Sequence, residues 1–219
     1  MKLHINDSIF SEYTPESAYW AGFTAADGSV DTKYRFRFYL SLKDVGHLYK
    51  LKHFLGAEHK VSENEKRDRC SFELTNKKIV NDLNDKYNII PNKSYILTYP
   101  LQMPRELDSH FIRGYWDGDG TLCESFSNKN STTATYYAAV VGSELFILDM
   151  VVLLEDYIGH SLPAVRDHIN GINATFKMNT NAAIWLSNFM YKNSTDETRL
   201  SRKYNIYKQV VLNNKRTTR

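Results

Sequence analysis

Along residues 33–43 polar and apolar side chains alternate without interruption. Lys33, Arg35, Arg37, Tyr39, Ser41 and Lys43 fall on one side, and Tyr34, Phe36, Phe38, Leu40 and Leu42 on the other. A period of two sustained over that length predicts a half-buried β-strand. The segment before it carries helix-start chemistry: Thr14 as a capping residue, Pro15 at the first helical position and Glu16 as an early acid. That helix is expected to run to Asp27-Gly28, where glycine permits a left-handed stop. Residues 45–55 suit a second helix lying over the apolar side of the strand. Residues 61–75 suit a hairpin that sets Arg67, Arg69, Ser71 and Glu73 opposite Cys70, Phe72 and Leu74, and residues 77–87 suit a third helix. The unit reads helix, two strands, helix, two strands, helix.

The unit occurs twice. Tyr19-Trp20-Ala21-Gly22-Phe23-Thr24-Ala25-Ala26-Asp27-Gly28 aligns with Phe111-Ile112-Arg113-Gly114-Tyr115-Trp116-Asp117-Gly118-Asp119-Gly120 at one constant offset. Aromatic meets aromatic at 19/111 and 23/115, glycine meets glycine at 22/114 and 28/120, and aspartate meets aspartate at 27/119. Further on, Phe54-Leu55-Gly56 matches Tyr157-Ile158-Gly159, and Ser71-Phe72-Glu73-Leu74-Thr75-Asn76 matches Thr175-Phe176-Lys177-Met178-Asn179-Thr180. The larger offset there is absorbed by the polar stretch 125–135, which reads as a longer loop in the second copy. Two prolines, Pro100 and Pro104, break any regular element between the copies. The first unit is therefore placed at residues 1–103 and the second at 104–219. The predicted fold class is α/β, built from two pseudo-symmetric αββαββα repeats.

Composition narrows the class. Hydrophobic residues make up 42% and charged residues 24% of the 219, ordinary for a folded soluble protein and too apolar for a disordered one. No apolar run approaches the ~18 residues of a membrane span, and the first residues lack the apolar stretch of a secretory leader. Two isolated cysteines, Cys70 and Cys123, exclude a disulfide framework and a Cys-rich zinc site and fit a reducing compartment. The expectation is an intracellular protein with no membrane partner. A net charge of +3 names no partner by itself. Its distribution adds a basic end, Arg199, Arg202, Lys203, Lys208, Lys215, Arg216 and Arg219 with no acid among them, which reads as a solvated tail or as a phosphate-tracking one.

The candidate chemistry lies at the ends of the first helices. Ala18, Gly22 and Ala26 recur every four residues, as do Gly114 and Gly118. Two such helices can approach closely about a two-fold axis, with Ala18, Gly22 and Gly114 at the interface, and their ends then bring Asp27 and Asp119 together. Neighbouring carboxylates repel unless a cation lies between them. Oxygen ligands suit Mg²⁺, which is commonly held by a few carboxylates completed by water and substrate phosphates. His47, His53 and His59 have no metal-ligand spacing and are assigned to packing or to the surface.

Trp20-Ala21-Gly22-Phe23-Thr24-Ala25-Ala26-Asp27-Gly28 and Ile112-Arg113-Gly114-Tyr115-Trp116-Asp117-Gly118-Asp119-Gly120 resemble the two signature motifs of the LAGLIDADG homing endonucleases, in their single-chain, two-repeat form. The elements after each motif extend the resemblance over nearly the whole chain. It implies a monomer whose paired motif helices join two half-domains under a saddle-shaped antiparallel β-sheet surface that binds double-stranded DNA. It implies Mg²⁺ as cofactor, with Mn²⁺ as a substitute. Asp27 and Asp119 are the implied metal ligands, helped by the backbone carbonyls of Ala26 and Gly118. A catalytic lysine is implied just after the last strand of a repeat, where Lys77 stands; its counterpart, Asn181, is uncharged and departs from the pattern. Asp117 falls two residues before the ligand position and is assigned to the solvent side or to a supporting role. A calcium-loop reading of Asp117-Gly118-Asp119-Gly120 weakens at the twelfth position, where Asn128 replaces Glu. The implied reaction is cleavage of a long, asymmetric DNA site, leaving 3′ overhangs.

The alternating strand suits that partner. A twisted antiparallel ribbon fits the major groove, where arginine can make paired contacts to guanine. Arg35 and Arg37 are expected at base edges with Tyr39 and Ser41, Lys33 and Lys43 at phosphates, and Arg67 and Arg69 on the neighbouring hairpin. Arg166, His168, Asn170, Thr175, Lys177 and Asn179 occupy the comparable strands of the second copy, whose face is less basic. Four cations on one strand face without a carboxylate repel one another unless an anion covers them. The competing reading is an intron RNA maturase or a non-cleaving DNA-binding relative, although both motif acids are present. An intein fits poorly, because Met1-Lys2 and Thr217-Thr218-Arg219 supply neither a leading nucleophile nor a closing Asn.

Overall fold

The computed structural model describes residues 3–126, 134–167 and 173–217. Helix α1 (Pro15–Ala26) opens as the sequence predicts. Thr14, in extended backbone, accepts the Ser17 N–H, the Ser17 hydroxyl accepts the Thr14 N–H, and Pro15 takes the first helical position. Strands β1 (Gly28–Val30) and β2 (Arg35–Ser41), helix α2 (Val45–Phe54), strands β3 (Val61–Asn64) and β4 (Arg69–Thr75) and helix α3 (Lys77–Tyr87) follow. The order then recurs as α4 (Asp108–Asp119), β5 (Thr121–Phe126), β6 (Ala134–Ser143), α5 (Glu144–Ile158), β7 (Arg166–Asp167), β8 (Asn173–Met178) and α6 (Thr180–Tyr191), with a further helix, α7 (Ser201–Thr217), at the end.

Each set of strands forms a four-stranded antiparallel sheet of the same topology, β1-β2-β4-β3 and β5-β6-β8-β7. Alternation sorts the two faces. Phe36, Phe38 and Leu40 pair with Leu74, Phe72 and Cys70 and are buried. Ala138 and Val140 pair with Met178 and Phe176 in the same way. Helices α2 and α5 lie on these apolar faces, α2 through Leu48 and Leu51 and α5 through Phe146, Ile147 and Met150. Burial of this kind contributes about 25 cal/mol per Å² of apolar surface and fixes each strand's register.

Four local expectations are corrected. Helix α1 has no left-handed stop: Asp27 ends it in right-handed backbone and Gly28, without a positive φ, opens β1. The strand of residues 33–43 is shorter at both ends. Lys33 lies in the β1–β2 turn, where Asp31 Oδ1 accepts the N–H groups of Lys33 and Arg35, and Lys43 lies in a 3-10 turn, Leu42–Asp44. Arg67 is not on a strand face but in a turn, Glu65–Arg67, closed by Asn64 Oδ1 on its N–H. The basic segment after residue 199 is not a solvated tail at its start: α7 packs back into the molecule through Lys203. Among the described residues no helix is long and apolar enough to cross a membrane.

Helices α1 and α4 form the centre. Residues 17–25 of α1 are buried on every side, because α4 covers what the sheets leave open. A Cβ added to Gly22 would stand 2.0 Å from the Phe111 carbonyl oxygen, and one added to Gly114 would stand 2.0 Å from that of Tyr19. The backbones touch, which no residue with a side chain permits. Ala18 is buried in the same helix.

Candidate functional site

The helix pair ends where the two motif acids lie. Gly118 lets them approach, since a Cβ there would fall 2.3 Å from that of Ala26 and 3.3 Å from the Asp27 carboxylate. Both aspartates remain exposed to solvent, so a ligand can reach them, while protein atoms crowd their other sides. Burial, then the charge of Asp119, raises the Asp27 carboxyl to about 6, against the pull of Lys203, Lys93 and Arg202. Burial raises Asp119 as well, opposed by Lys93 and Lys203.

The lysines at this site are Lys93 and Lys203, which sequence reasoning missed. Lys93 follows α3 in the 3-10 turn Lys93–Tyr95, is buried, and donates to the Ala26 carbonyl at 3.3 Å. Lys203, in the first turn of α7, is also buried and donates to the carbonyls of Trp116 (2.7 Å), Gly118 (3.2 Å) and Gly120 (2.6 Å). Burial lowers each ammonium to about 8; Asp119 and Asp27 oppose it at Lys93, and Asp117 foremost opposes it at Lys203. A pocket of about 270 Å³ opens here, lined by Ala26, Lys93, Tyr115, Asp119, Ser143 and Asn173. Lys77, by contrast, is exposed at the start of α3, and its ammonium lies 5.6 Å from the centre of the Tyr34 ring. The buried lysine nearest the first motif acid on this unit, Lys93, lies in the segment beyond the helix. Asn181 sits in the first turn of α6 and is exposed.

The trailing segments cross between the units. The stretch carrying Lys93 docks on the second unit, where the Ser143 hydroxyl donates to the Leu97 carbonyl. The stretch carrying Lys203 docks on the first, through Arg202 to Asp44 at 2.9 Å and Lys50 to Asp196 at 3.1 Å.

Asp117 is not on the solvent side. It is fully buried and accepts from Tyr19 Oη (2.9 Å), Tyr191 Oη (2.5 Å) and the Leu200 N–H (2.7 Å). A carboxylate so engaged has no place in a calcium loop. Tyr19 Oη also lies 3.0 Å from His47 Nε2. Because the tyrosine proton goes to Asp117, the histidine must be the donor, and its Nδ1 is buried without a partner.

The sheet residues expected at DNA divide into two groups. Arg35, Arg37, Tyr39 and Ser41 of β2 share the polar face with Thr75, Glu73, Ser71 and Arg69, their partners on β4. The two central arginines are not free cations. Asp31 Oδ2 takes Arg35 Nε at 2.6 Å and Arg37 Nη2 at 3.2 Å, and Glu73 stands opposite Arg37. Although desolvation works against it, the N–H and guanidinium of Arg35 and the N–H of Lys33 hold the Asp31 carboxyl below its ordinary value. The expectation of four unopposed cations fails because the acid sits in the turn, outside the alternating run. In the second sheet, Arg166 pairs with Thr175, and Lys177 with Ala139, on one polar face with Tyr137. His168 and Asn170 lie outside the described residues, while Asn179 caps the start of α6.

No protein-family model matches this sequence, and no curated protein is similar to it. Solved structures are similar. The I-SmaMI LAGLIDADG homing endonuclease bound to cleaved DNA superposes with a TM-score of 0.60 at 13% identity, over 94% of this chain and 91% of that one. I-SmaMI bound to an uncleaved DNA target in the presence of calcium ions gives 0.60 at 13%, over 94% and 93%. The LAGLIDADG meganuclease I-AabMI bound to uncleaved DNA gives 0.56 at 12%, over 82% and 84%. With its duplicated antiparallel sheets and paired central helices, this chain has the fold of the LAGLIDADG homing endonucleases.

Proposed function

We propose that the chain is a divalent-metal-dependent, site-specific double-strand DNA endonuclease, a homing endonuclease in activity as well as in fold. One observation carries this reading. Asp27 and Asp119 stand together at the ends of two helices in backbone contact, flanked by one buried lysine from each unit. The similar structures hold DNA, one of them with calcium ions, which supports both partner and cofactor.

The donors fit Mg²⁺ or Mn²⁺. They are oxygens only: two carboxylates, with the main-chain carbonyls of Ala26 and Gly118 beside them. Two carboxylates and two carbonyls suit an ion that completes its shell with water and phosphate oxygens. Such an ion supplies charge neutralisation and an acidified water for phosphodiester hydrolysis. Asp27 and Asp119 hold and orient it. Lys93 and Lys203 add positive charge at the scissile phosphates, the part first assigned to Lys77. Arg35, Arg37, Tyr39, Ser41 and Arg69 read one half of the site, and Arg166, Thr175 and Lys177 the other. Lys33, Lys43 and Arg67, in exposed turns, take phosphates. On this reading residues 1–103 and 104–219 are half-domains of an intracellular monomer, and the cut leaves 3′ overhangs.

The test is cleavage of a randomised or genomic duplex library with Mg²⁺, with EDTA as control and the ends sequenced. Metal-dependent breaks at one long site are expected. Asp27→Asn and Asp119→Asn should each abolish cleavage and leave binding measurable. Cleavage retained by either variant overturns the assignment, and tight binding of intron RNA without DNA breaks transfers the chain to the maturases.

A further inference from the structure

The two units differ in how they seat their lysines. Lys93 follows α3 after a short connection, residues 88–92, whereas Lys203 follows α6 only after residues 192–202. The longer connection is gripped by two charged residues one turn apart on α4. Arg113, fully buried, donates to the carbonyls of Met190 (2.7 Å) and Thr198 (2.7 Å) and to the Thr198 hydroxyl (3.2 Å). Asp117, equally buried, accepts from Tyr191, the last residue of α6, from the Leu200 N–H just before α7, and from Tyr19 of α1. At the corresponding positions of α1 stand Ala21 and Ala25, which can grip nothing. The clamp exists in one unit only.

We infer that Arg113 and Asp117 are positioning residues for Lys203: they fix the α6–α7 connection so that the first turn of α7 delivers its ammonium to the Trp116, Gly118 and Gly120 carbonyls beside the two motif acids. The chemistry supports this use. Buried charges that lose a partner leave the other uncompensated, so such a pair favours one arrangement of the connection over others. Asp117 joins the end of α6, the approach to α7 and both central helices at a single side chain. The inference rests on the proposed nuclease reading for its consequence, strand-selective cleavage, but not for the clamp itself.

The test therefore has two arms. In the first, the full-length protein is labelled at low dose with an amine-acylating reagent, and each lysine is followed by mass spectrometry. Asp117→Asn should raise labelling of Lys203 about ten-fold, by weakening a buried hydrogen-bond set, while Lys93 stays within two-fold of wild type. Tyr191→Phe, which removes one donor and keeps the shape, should move Lys203 in the same direction by less. In the second arm, supercoiled plasmid carrying the target is cut, and the two strands are scored separately. Asp117→Asn should slow one strand about 100-fold, the same strand that Lys203→Met slows, and leave the other strand and the DNA Kd near wild type. Lys93→Met should slow the opposite strand. If Lys203 labelling is unchanged, or if both lysines become reactive together, the clamp is refuted. If Lys203 alone becomes reactive but both strands slow equally, its role as a strand-specific positioning device is refuted. If the labelling behaves as stated and the wild-type protein cuts no duplex, the clamp stands and the nuclease reading falls.

Discussion

Gly114→Ala probes the helix pair on which the candidate site depends. The new Cβ would meet the Tyr19 carbonyl oxygen at 2.0 Å and the Phe23 nitrogen at 2.7 Å, against ordinary contact at 3.4 Å and beyond. Both obstacles are backbone, so no rotamer change relieves them, and the helices must separate by more than 1 Å. Overpacking of this kind costs about 3 kcal/mol at the upper end of its usual range. Alanine in a helix returns about 1 kcal/mol over glycine. The net loss is about 2 kcal/mol, a fall in Tm of about 4–8 °C for a chain of this size. Thermal denaturation followed by circular dichroism measures it directly. Gly46→Ala is the internal control. It lies in α2 with nothing within 4 Å of its would-be Cβ, so there the propensity gain alone should appear, as a small rise in Tm. Separation also moves Asp27 from Asp119, and a displacement near 1 Å costs about 100-fold in rate at an oriented site. A Gly114→Ala protein as stable as wild type, or one that behaves like Gly46→Ala, would refute the backbone contact and the site built on it.

Other outcomes follow from particular residues. His47, buried and hydrogen-bonded as a donor, has its pKa lowered to about 3 by burial first, then by Lys50 and Arg202. The unfolded chain takes up that proton near pH 6.5, so His47 contributes stability at higher pH that is lost as pH falls from about 6.5 toward 3. The gap in Tm between wild type and His47→Gln should narrow over that window, and a gap independent of pH would contradict it. Asp31→Asn should release the Arg35 and Arg37 guanidiniums. Non-specific DNA affinity should rise, with log Kd against log salt steepening by about 0.9 for each new phosphate contact, and discrimination between target and random duplex should fall. Unchanged salt dependence would show that the two arginines already spend their charge on DNA.

Most of the fold was legible because it rests on short-range periodicity. The alternation of residues 35–41, the Thr14-Pro15 start and the helix 77–87 are each specified within one window, and duplication then extended the reading to the second unit. The motif acids were legible for the same reason. The two buried lysines were not: Lys93 lies in a 3-10 turn beyond α3 and Lys203 in the added helix α7, at unequal distances from the repeated elements, and only folding returns each to the motif helix of its unit. Asp117 could be read only as either a solvent-side or a supporting acid, because the partners that decide it, Tyr19, Tyr191 and Leu200, are scattered along the sequence. The Asp31 pairing was a failure of a different kind. Reading one strand face by itself ignored the turn before it, where a short acid that caps N–H groups also reaches two guanidiniums.

The crossing of the trailing segments bears on ancestry and recombination. Leu97 is fastened to Ser143, and Arg202 to Asp44, so each unit's trailing segment rests on the opposite unit while its lysine bonds the carbonyls of its own motif helix. An ancestor made of a single unit would then have carried acid and lysine together on one polypeptide but left its trailing segment without the surface it rests on; pairing would have steadied an arrangement each unit already holds. The same interlock limits shuffling of halves between proteins of this fold. A chimera joined at the linker keeps each lysine with its own carbonyl partners but hands its trailing segment a foreign surface. Exchangeable modules would have to be cut along the docking surfaces, and those run through three dimensions rather than along the chain.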